Sequence, residues 1–383
     1  MSRPDARGAP LLPTLAAFTT LGFMFGVWQV ALPDLAGALD LTPGPLGAAL
    51  SLGFVVSLPA MLLGGRLADR IGARNVGVGA GSLLALAFIG FSRVDAYWVL
   101  VGLLMVLLAA SGVYDVAINA SAIDLEQRSQ RRVLPVLHAA FSGGGAAGAV
   151  AAGALVGFGI GFRLLYVGTS ALIVAVMIAW LLRPSPRTAH RTEPGRTANL
   201  YRNVLLLVLA AVAGLSFLSE GAMESWSAIY VRSSLDLPAL FGAAGVATFH
   251  GAMLCGRLAT AGVAGRFGRI PTLRAAGLLA AAGMALALST ELPALILAGF
   301  LLVGLALAGV APIAFSLAGD AAPRRAGAAS AVITTIGYGG FVLGPGLVGG
   351  LAEASSLRLA LGLIAVAGLS ISGLTIALRR RMA

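Results

Sequence analysis

Three carboxylic acids interrupt apolar stretches of the sequence, and their surroundings favour proton chemistry. They are Asp115, Glu220 and Glu224. A carboxylate inside an apolar membrane helix costs roughly 2.5–3.5 kcal/mol on insertion scales, so it normally faces a cavity or a partner. Glu220 and Glu224 lie one helical turn apart on one face, where mutual repulsion favours a proton held by at least one of them. We expect this pair to bind and release protons; the alternative is that both are solvated where the helix opens to water.

Two further polar residues extend this chemistry. Asn119 lies one helical turn beyond Asp115, so the two side chains could contact one ligand or share a proton network. His138 carries an imidazole that titrates near neutral pH and could relay protons. The alternatives are a structural carboxylate at Asp115 and an interfacial structural role for His138. The predicted proton-coupling residues are Glu220, Asp115, Glu224 and His138.

Amphipathic side chains also occur inside the apolar stretches rather than at their ends. In a cavity, such side chains can stack on a small solute and hydrogen-bond it. For each of them, ordinary helix packing is the alternative. The predicted substrate-binding residues are Trp28, Gln29, Tyr114, Asn119, Trp226 and Tyr338.

The composition excludes most soluble functions. Of the 383 residues, 58% are hydrophobic and 11% are charged, whereas soluble proteins carry about 25% charged residues. The chain contains no lysine, which excludes a Walker A loop and a Schiff-base site. Its single cysteine, Cys255, excludes an internal disulfide and a Cys/His metal cluster. We therefore expect a membrane protein that is not an enzyme and holds no cofactor or metal. The acids inside its apolar stretches favour a proton gradient as its energy source.

Runs without Asp, Glu or Arg indicate where the chain crosses the membrane. A helical span needs roughly 17–25 apolar residues. The sequence predicts an all-α membrane protein with twelve spans, arranged as six plus six. The runs are Gly8–Pro33, Leu41–Gly65, Asn75–Ser92, Ala96–Tyr114, Val133–Phe162, Leu164–Leu182, Asn203–Ser219, Leu237–Gly256, Ala275–Thr290, Leu292–Gly319, Ala326–Ala352 and Leu359–Leu378.

The arginines predict the orientation, because positively charged loops stay in the cytoplasm. With the N-terminus inside, 22 arginines fall on the inner side and 4 on the outer side. This count assigns Arg257 to the loop after the eighth span and leaves no arginine inside the spans to neutralise the acids. Asp34, at the outer end of the first span, is expected to be an exposed helix-end group. The net charge of +11 thus indicates topology and contact with anionic lipids, not nucleic-acid binding.

The sequence divides into two similar halves. We predict an N-terminal six-helix bundle over 1–182, a cytoplasmic linker over 183–202 and a C-terminal six-helix bundle over 203–383. The halves match weakly at an offset of about 197 residues, as in transporters built from duplicated bundles. For example, Gly112 and Val113 in the fourth span match Gly309 and Val310 in the tenth.

The loop after the second span carries a recognisable motif. From Gly65 to Arg74 it reads Gly-Arg-Leu-Ala-Asp-Arg-Ile-Gly-Ala-Arg, which resembles the G-x-L-a-D-R-x-G-R-R/K signature of the major facilitator superfamily. Ala73 replaces one of the basic residues of that signature. A second copy over 265–269 lacks the aspartate. In that family the loop gates the cytoplasmic side, which implies gating roles for Gly65, Asp69, Arg70, Gly72, Arg74 and Arg266.

The resemblance implies a secondary transporter in which two six-helix bundles rock about a central site. The segments around Trp28, Asp115 and Glu220 resemble a poorly characterised bacterial branch near the fucose-permease-like carriers. The leading interpretation is proton-coupled uptake of a small polar solute across the bacterial inner membrane by a monomer. The alternatives are proton-driven export of a drug or metabolite, and a membrane sensor or scaffold that does not transport. The fifth span lacks the Gly-Pro pair of the exporter signature, which argues against the first alternative.

Overall fold

The protein is almost entirely helical in the part of the chain that the structure describes. The structure is a computed structural model, and it describes residues 11–129, 133–182 and 200–382. The helices are α1 (Leu11–Ala38), α2 (Pro43–Ile71), α3 (Ala73–Phe91), α4 (Tyr97–Ser129), α5 (Leu134–Gly157), α6 (Phe162–Leu181), α7 (Val204–Ile229), α8 (Ala239–Phe267), α9 (Arg269–Leu288), α10 (Pro293–Leu307), α11 (Val310–Ala321), α12 (Ala326–Gly337), α13 (Gly339–Ala354) and α14 (Leu357–Met382).

Twelve helical segments in these ranges are long and apolar enough to cross a membrane, which confirms the predicted number. A π-helical turn, Tyr230–Ser234, extends α7 into one span. Two spans are interrupted helices, α10 with α11 and α12 with α13. The predicted linker is described only at its end, where Leu200–Arg202 forms a short 3-10 turn; residues 183–199 lie outside the described part.

Two matching glycine joints reveal the internal repeat in the backbone. Gly72 connects α2 to α3 with φ of 88° and ψ of 143°. Gly268 connects α8 to α9 with φ of 86° and ψ of 151°. A positive φ strains residues with a Cβ but not glycine, so the sharp reversal between helices needs glycine in both halves. The two joints lie at the same end of the helix bundle, which we call the open end.

The two sets of six spans meet mainly through two helix pairs, α5 with α8 and α2 with α13. Small residues let these helices approach closely. A Cβ at Gly47 of α2 would stand 2.6 Å from the main-chain oxygen of Pro345 in α13, so only glycine fits there. Gly153 of α5 likewise lies against Ala243 of α8.

Polar contacts reinforce this junction at the end opposite the glycine joints, which we call the closed end. The guanidinium of Arg232 donates to both carboxylate oxygens of Asp34, at 2.7 and 2.8 Å. The main-chain N–H of Gly44 donates to Glu353 at 2.9 Å. Both contacts join the first half of the chain to the second. The expectation of an exposed Asp34 is therefore wrong, because the turn after α7 brings Arg232 to α1 and half-buries the carboxylate.

A cysteine pair at the closed end should form a disulfide. A Cβ built at Gly44 lies 3.4 Å from Cβ of Glu353, close to the roughly 3.5–4.5 Å that a disulfide bridges. In a Cys255→Ser background we expect Gly44→Cys with Glu353→Cys to lose maleimide labelling after denaturation and to regain it with a reductant. The control pair, Gly44→Cys with Ile71→Cys, lies at opposite ends of α2 and should stay labelled. Free thiols in the first pair would contradict the closed end described above.

Candidate functional site

A cavity of about 920 Å³ lies between the two halves, from the middle of the bundle toward the open end. Helices of both halves line it, including α1, α2, α4 and α5 from the first and α7, α8, α11 and α13 from the second. The closed-end contacts block it on the other side. Its volume suits a small molecule, since ligand pockets usually measure about 300–1,000 Å³.

An ion pair between α7 and α8 lies in the wall of this cavity. Nη2 of Arg257 donates to Oε1 of Glu220 at 3.2 Å. The two side chains keep only 20% and 11% of their surface exposed, respectively. A guanidinium and a carboxylate in an apolar interior compensate each other, whereas either charge alone would be costly there.

The sequence-based assignment of Arg257 to a cytoplasmic loop is wrong, and so is the expectation that no arginine lies within the spans. Helix α8 continues to Phe267, because the residues between Arg257 and Arg266 carry no charge and continue the apolar helix. When spans are predicted from runs without charge, every arginine ends a span, even one whose charge is paired inside the membrane. The uncharged segment beyond Arg257 was the signal that could have revealed it.

Arg257 also connects the ion pair to the opposite half of the chain. Its Nη1 donates to Oγ of Ser142 at 2.7 Å and approaches the main-chain oxygen of His138 at 3.5 Å, both on α5. The His138 ring lies edge-on to Phe18 of α1, with 5.4 Å between ring centroids. One guanidinium therefore contacts a carboxylate of the second half and two groups of the first.

The other two predicted acids also reach the cavity. Asp115 and Glu224 both line it, and neither forms an ion pair with any residue in the described ranges. Nδ2 of Asn119 donates to Oδ1 of Asp115 at 3.0 Å and to its main-chain oxygen at 2.9 Å. Asn119 thus orients the Asp115 carboxylate. The structure brings all four predicted proton-coupling residues, Glu220, Asp115, Glu224 and His138, to one cavity.

Aromatic rings form a continuous cluster on the cavity wall, which we call the aromatic cluster: Phe54, Phe217, Tyr338 and Phe341. The rings of Phe217 and Phe341 stack with centroids 5.0 Å apart. Phe54 of the first half stacks on Phe341 of the second at 5.8 Å. Tyr338 meets Phe217 edge-on at 5.3 Å. Sequence reasoning selected Tyr338 but not the three phenylalanines, because an isolated phenylalanine in an apolar span carries no distinguishing signal.

Five of the six predicted binding residues lie outside the cavity wall in this conformation, and their role in binding stays a prediction. Trp28 packs within the first half, 4.7 Å from the Phe91 ring and 5.8 Å from that of Tyr166. Tyr114 lies edge-on to Trp180 in the same half. The residues away from the wall are Trp28, Gln29, Tyr114, Asn119 and Trp226.

Two of these residues, Gln29 and Trp226, instead join the halves between the cavity and the closed end. Oε1 of Gln29 lies 3.2 Å from Nε2 of His250, and both side chains are buried. Nε1 of Trp226 donates to the main-chain oxygen of Pro345 in the same half at 3.2 Å, and its ring lies 3.3 Å from a Cβ built at Gly47 of α2. They therefore contribute to the closed-end junction in this state.

The predicted gating residues gather at the open end. Asp69 and Arg70 lie exposed at the end of α2, and Gly72 forms the joint that follows them. Asp69 forms no ion pair within the described ranges. The remaining members of the set also lie beside the two joints; they are Gly65, Arg74 and Arg266.

The second half carries an open-end ion pair that sequence reasoning missed. Nη1 of Arg269 contacts Oδ2 of Asp320 at 2.5 Å and Oγ of Ser316 at 3.0 Å. This contact fixes the start of α9 against the end of α11. Within the described ranges, no three His, Cys, Asp or Glu side chains cluster closely enough to hold a metal ion.

Comparison with known proteins identifies related sequences along nearly the whole chain. The family model of the Major Facilitator Superfamily matches residues 14–345. An uncharacterized MFS-type transporter of Yersinia pestis is 31% identical over 364 residues, covering 94% of this chain and 93% of the relative. Membrane protein MosC of Rhizobium meliloti is 28% identical, covering 95% of this chain and 89% of the relative.

Solved structures of two transporters share the fold. The nucleoside transporter NupG superposes with a TM-score of 0.80 at 15% identity, covering 97% of this chain and all of that one. A bacterial homolog of the human lysosomal transporter Spinster, in an inward-facing and occupied conformation, gives a TM-score of 0.77 at 14% identity. That superposition covers 97% of this chain and 96% of the other. These similarities confirm the predicted fold of two six-helix bundles.

Removing one partner of the ion pair should destabilise the protein more than removing both. Arg257→Leu leaves the buried Glu220 carboxylate without its cation, at a cost of about 3 kcal/mol. We expect Arg257→Leu to lower the thermal unfolding midpoint of the purified protein, and the double variant with Glu220→Leu to recover most of the loss. Glu291→Gln is the control, because its exposed pair with Arg358 contributes little. A double variant less stable than Arg257→Leu alone would contradict a compensated buried pair.

Replacing Asp69 should not disturb the conformation described here. Asp69→Asn removes a carboxylate that forms no ion pair in this state, so any contact it makes belongs to a state closed at the open end. We expect the variant to remain folded and to label faster at Ala261→Cys, a cavity position near the open end, in a Cys255→Ser background. Unchanged labelling together with unchanged transport would reject a gating role for Asp69.

Proposed function

Because the chain belongs to the major facilitator superfamily, we propose that this membrane transporter couples movement of a small polar solute to protons by alternating access. The observation that carries the proposal is the Glu220–Arg257 pair in the cavity, with its contact to α5 of the opposite half. It links a group that can take up a proton to the junction between the halves. A single chain contains the whole cavity, so we propose that a monomer suffices.

The contacts between the halves support an alternating-access cycle. The cavity opens at one end, and the α2–α13 and α5–α8 junctions seal the other. Transporters of duplicated bundles work by rocking one bundle against the other around a fixed central site. In such a cycle the polar contacts of Asp34 with Arg232 and of Gly44 with Glu353 break when the closed end opens.

The arginine distribution supports a cytoplasmic open end. Moving Arg257 from a loop into α8 leaves 21 inner arginines against 4 outer ones. Positively charged loops stay in the cytoplasm, so the correction does not change the proposed orientation. Both termini and the segment 183–202 are then cytoplasmic. For a bacterial protein the membrane is the inner membrane, in line with the bacterial relatives.

Glu220 is the proposed coupling acid. When its carboxylate is ionised, Arg257 is held between α7 and α5. A proton on Glu220 cancels the charge that attracts Arg257, which weakens the α7–α8 contact and frees the guanidinium to move. The proton thereby changes the relative stability of the two conformations, as differential affinity requires. Asp115 and Glu224 are second choices, since neither forms an ion pair in the described ranges with a cation that reaches the opposite half, as Glu220 does with Arg257.

Neutralising Glu220 should uncouple transport from the pH gradient. In proteoliposomes supplied with a solute that stabilises the purified protein, we expect Glu220→Gln to abolish accumulation driven by an imposed pH gradient. Exchange of labelled for unlabelled solute should continue, because the cavity remains. Glu291→Gln, an exposed acid outside the cavity, is the matched control and should behave as wild type.

Asp115→Asn and Glu224→Gln complete the series. Loss of accumulation in either variant, with Glu220→Gln active, would move the coupling role to that acid. Full gradient-driven accumulation in all three variants would reject proton coupling and favour a facilitator or a sodium-coupled carrier.

A further inference from the structure

We infer that the cavity takes a monovalent organic cation, an amine carrying an apolar ring or chain, seated between Asp115, Glu224 and the aromatic cluster. The inference rests on the proposed transport function and narrows its substrate class. Two independent features of the cavity carry it: the balance of charged groups and the aromatic cluster.

The acidic side chains that line the cavity outnumber the arginines available to pair with them. Glu220 is matched by Arg257 at 3.2 Å. The arginine at the mouth, Arg269, is matched by Asp320. Asp115 and Glu224 remain, and no arginine of the described ranges pairs with either.

Asp115 and Glu224 face the cavity without an ion-pair partner in the described ranges, so a bound cation stabilises their ionised form, whereas an anion beside them is repelled. An anionic solute would have to approach both acids while the guanidinium of Arg257 is already occupied by Glu220 and Ser142. The charge balance therefore disfavours carboxylates and phosphates as substrates.

The aromatic cluster distinguishes an amine with an apolar body from a neutral polyhydroxylated solute. Four rings from both halves line the cavity in contact with one another. Rings offer a solute apolar area and a negative π face, which favours cations. Of the four rings only Tyr338 carries a hydroxyl group, so the cluster offers few hydrogen-bond partners to a polyhydroxylated solute. A cation with an apolar body satisfies the rings and the acids together.

The proton and the cation use different carboxylates in this arrangement. Glu220 contacts Arg257 and responds to protons, while Asp115 and Glu224 remain to hold the cation. Asn119 donates to one oxygen of Asp115 and leaves the other for a ligand. The two sites permit simultaneous binding of a proton and an amine.

A matched set of compounds tests the charge requirement. Phenethylamine, tryptamine and cyclohexylethylamine are each compared with the alcohol and the carboxylate of the same skeleton. Dose-dependent shifts of the thermal unfolding midpoint are recorded on the purified full chain at neutral pH. We expect the amines to stabilise the protein and their neutral and anionic counterparts to have no effect. Equal stabilisation by alcohols or carboxylates, or no stabilisation by any amine, overturns the inference.

Substitutions localise the site. We expect Glu224→Gln and Asp115→Asn each to raise the apparent dissociation constant of the stabilising amine about ten-fold, and Phe341→Leu to raise it several-fold. Glu291→Gln should leave it unchanged. Unchanged binding in all three cavity variants, or an equal loss in Glu291→Gln, contradicts the assignment to this cavity.

The two proposals fail in different ways. Amine binding without gradient-driven accumulation in proteoliposomes rejects proton-coupled transport and leaves the cation site. Gradient-driven accumulation of a neutral or anionic solute, with no amine binding, rejects the cation site and leaves the transporter.

Discussion

The ion pair between Glu220 and Arg257 is the interaction on which the rest of the cavity depends. Two charges removed from water attract each other strongly, yet the net stabilisation is small because each loses its hydration. Because the attraction and the loss of hydration nearly cancel, a single proton on Glu220 is enough to change the stability of the pair. Because Arg257 also donates to Ser142 of α5, a change on α7 is transmitted to the other half of the chain. The remaining cavity acids, Asp115 and Glu224, form no ion pair in the described ranges and are available to a ligand.

The junction between the halves depends mainly on close contact between small residues and not on charge. At the closed end it consists of glycine contacts, such as Gly47 against α13 and Gly153 against α8, and a few hydrogen bonds join the halves there. Helices that meet through small residues share little interdigitated surface, so they can separate without repacking large side chains. A carrier needs two states of similar free energy, and such a junction permits it. Larger residues would clash with the main chain of α13 at Gly47 and with the Ala243 side chain at Gly153.

The sequence predicts the general architecture well because membrane spans follow from length and polarity alone. The twelve spans, their helical structure and the family agree with the structure and its relatives. The acids Asp115, Glu220 and Glu224 were found because a charge in an apolar run is costly and therefore conspicuous. Arg257 was missed because the rule that detects spans as runs without charge places every arginine in a loop. The phenylalanines of the aromatic cluster and the partner of Asp34 depend on helix packing across the halves, which no local pattern encodes.

A distance measurement between the halves tests the central claim, that a proton on Glu220 sets the conformational balance. Spin labels at Ile71→Cys and Phe267→Cys in a Cys255→Ser background report the opening between α2 and α8 at the open end. The account predicts that the distance distribution of the otherwise wild-type protein differs between pH 8 and pH 5. It further predicts that Glu220→Gln gives the pH 5 distribution at both pH values. A Glu220→Gln variant that responds to pH as the wild type does would contradict the account.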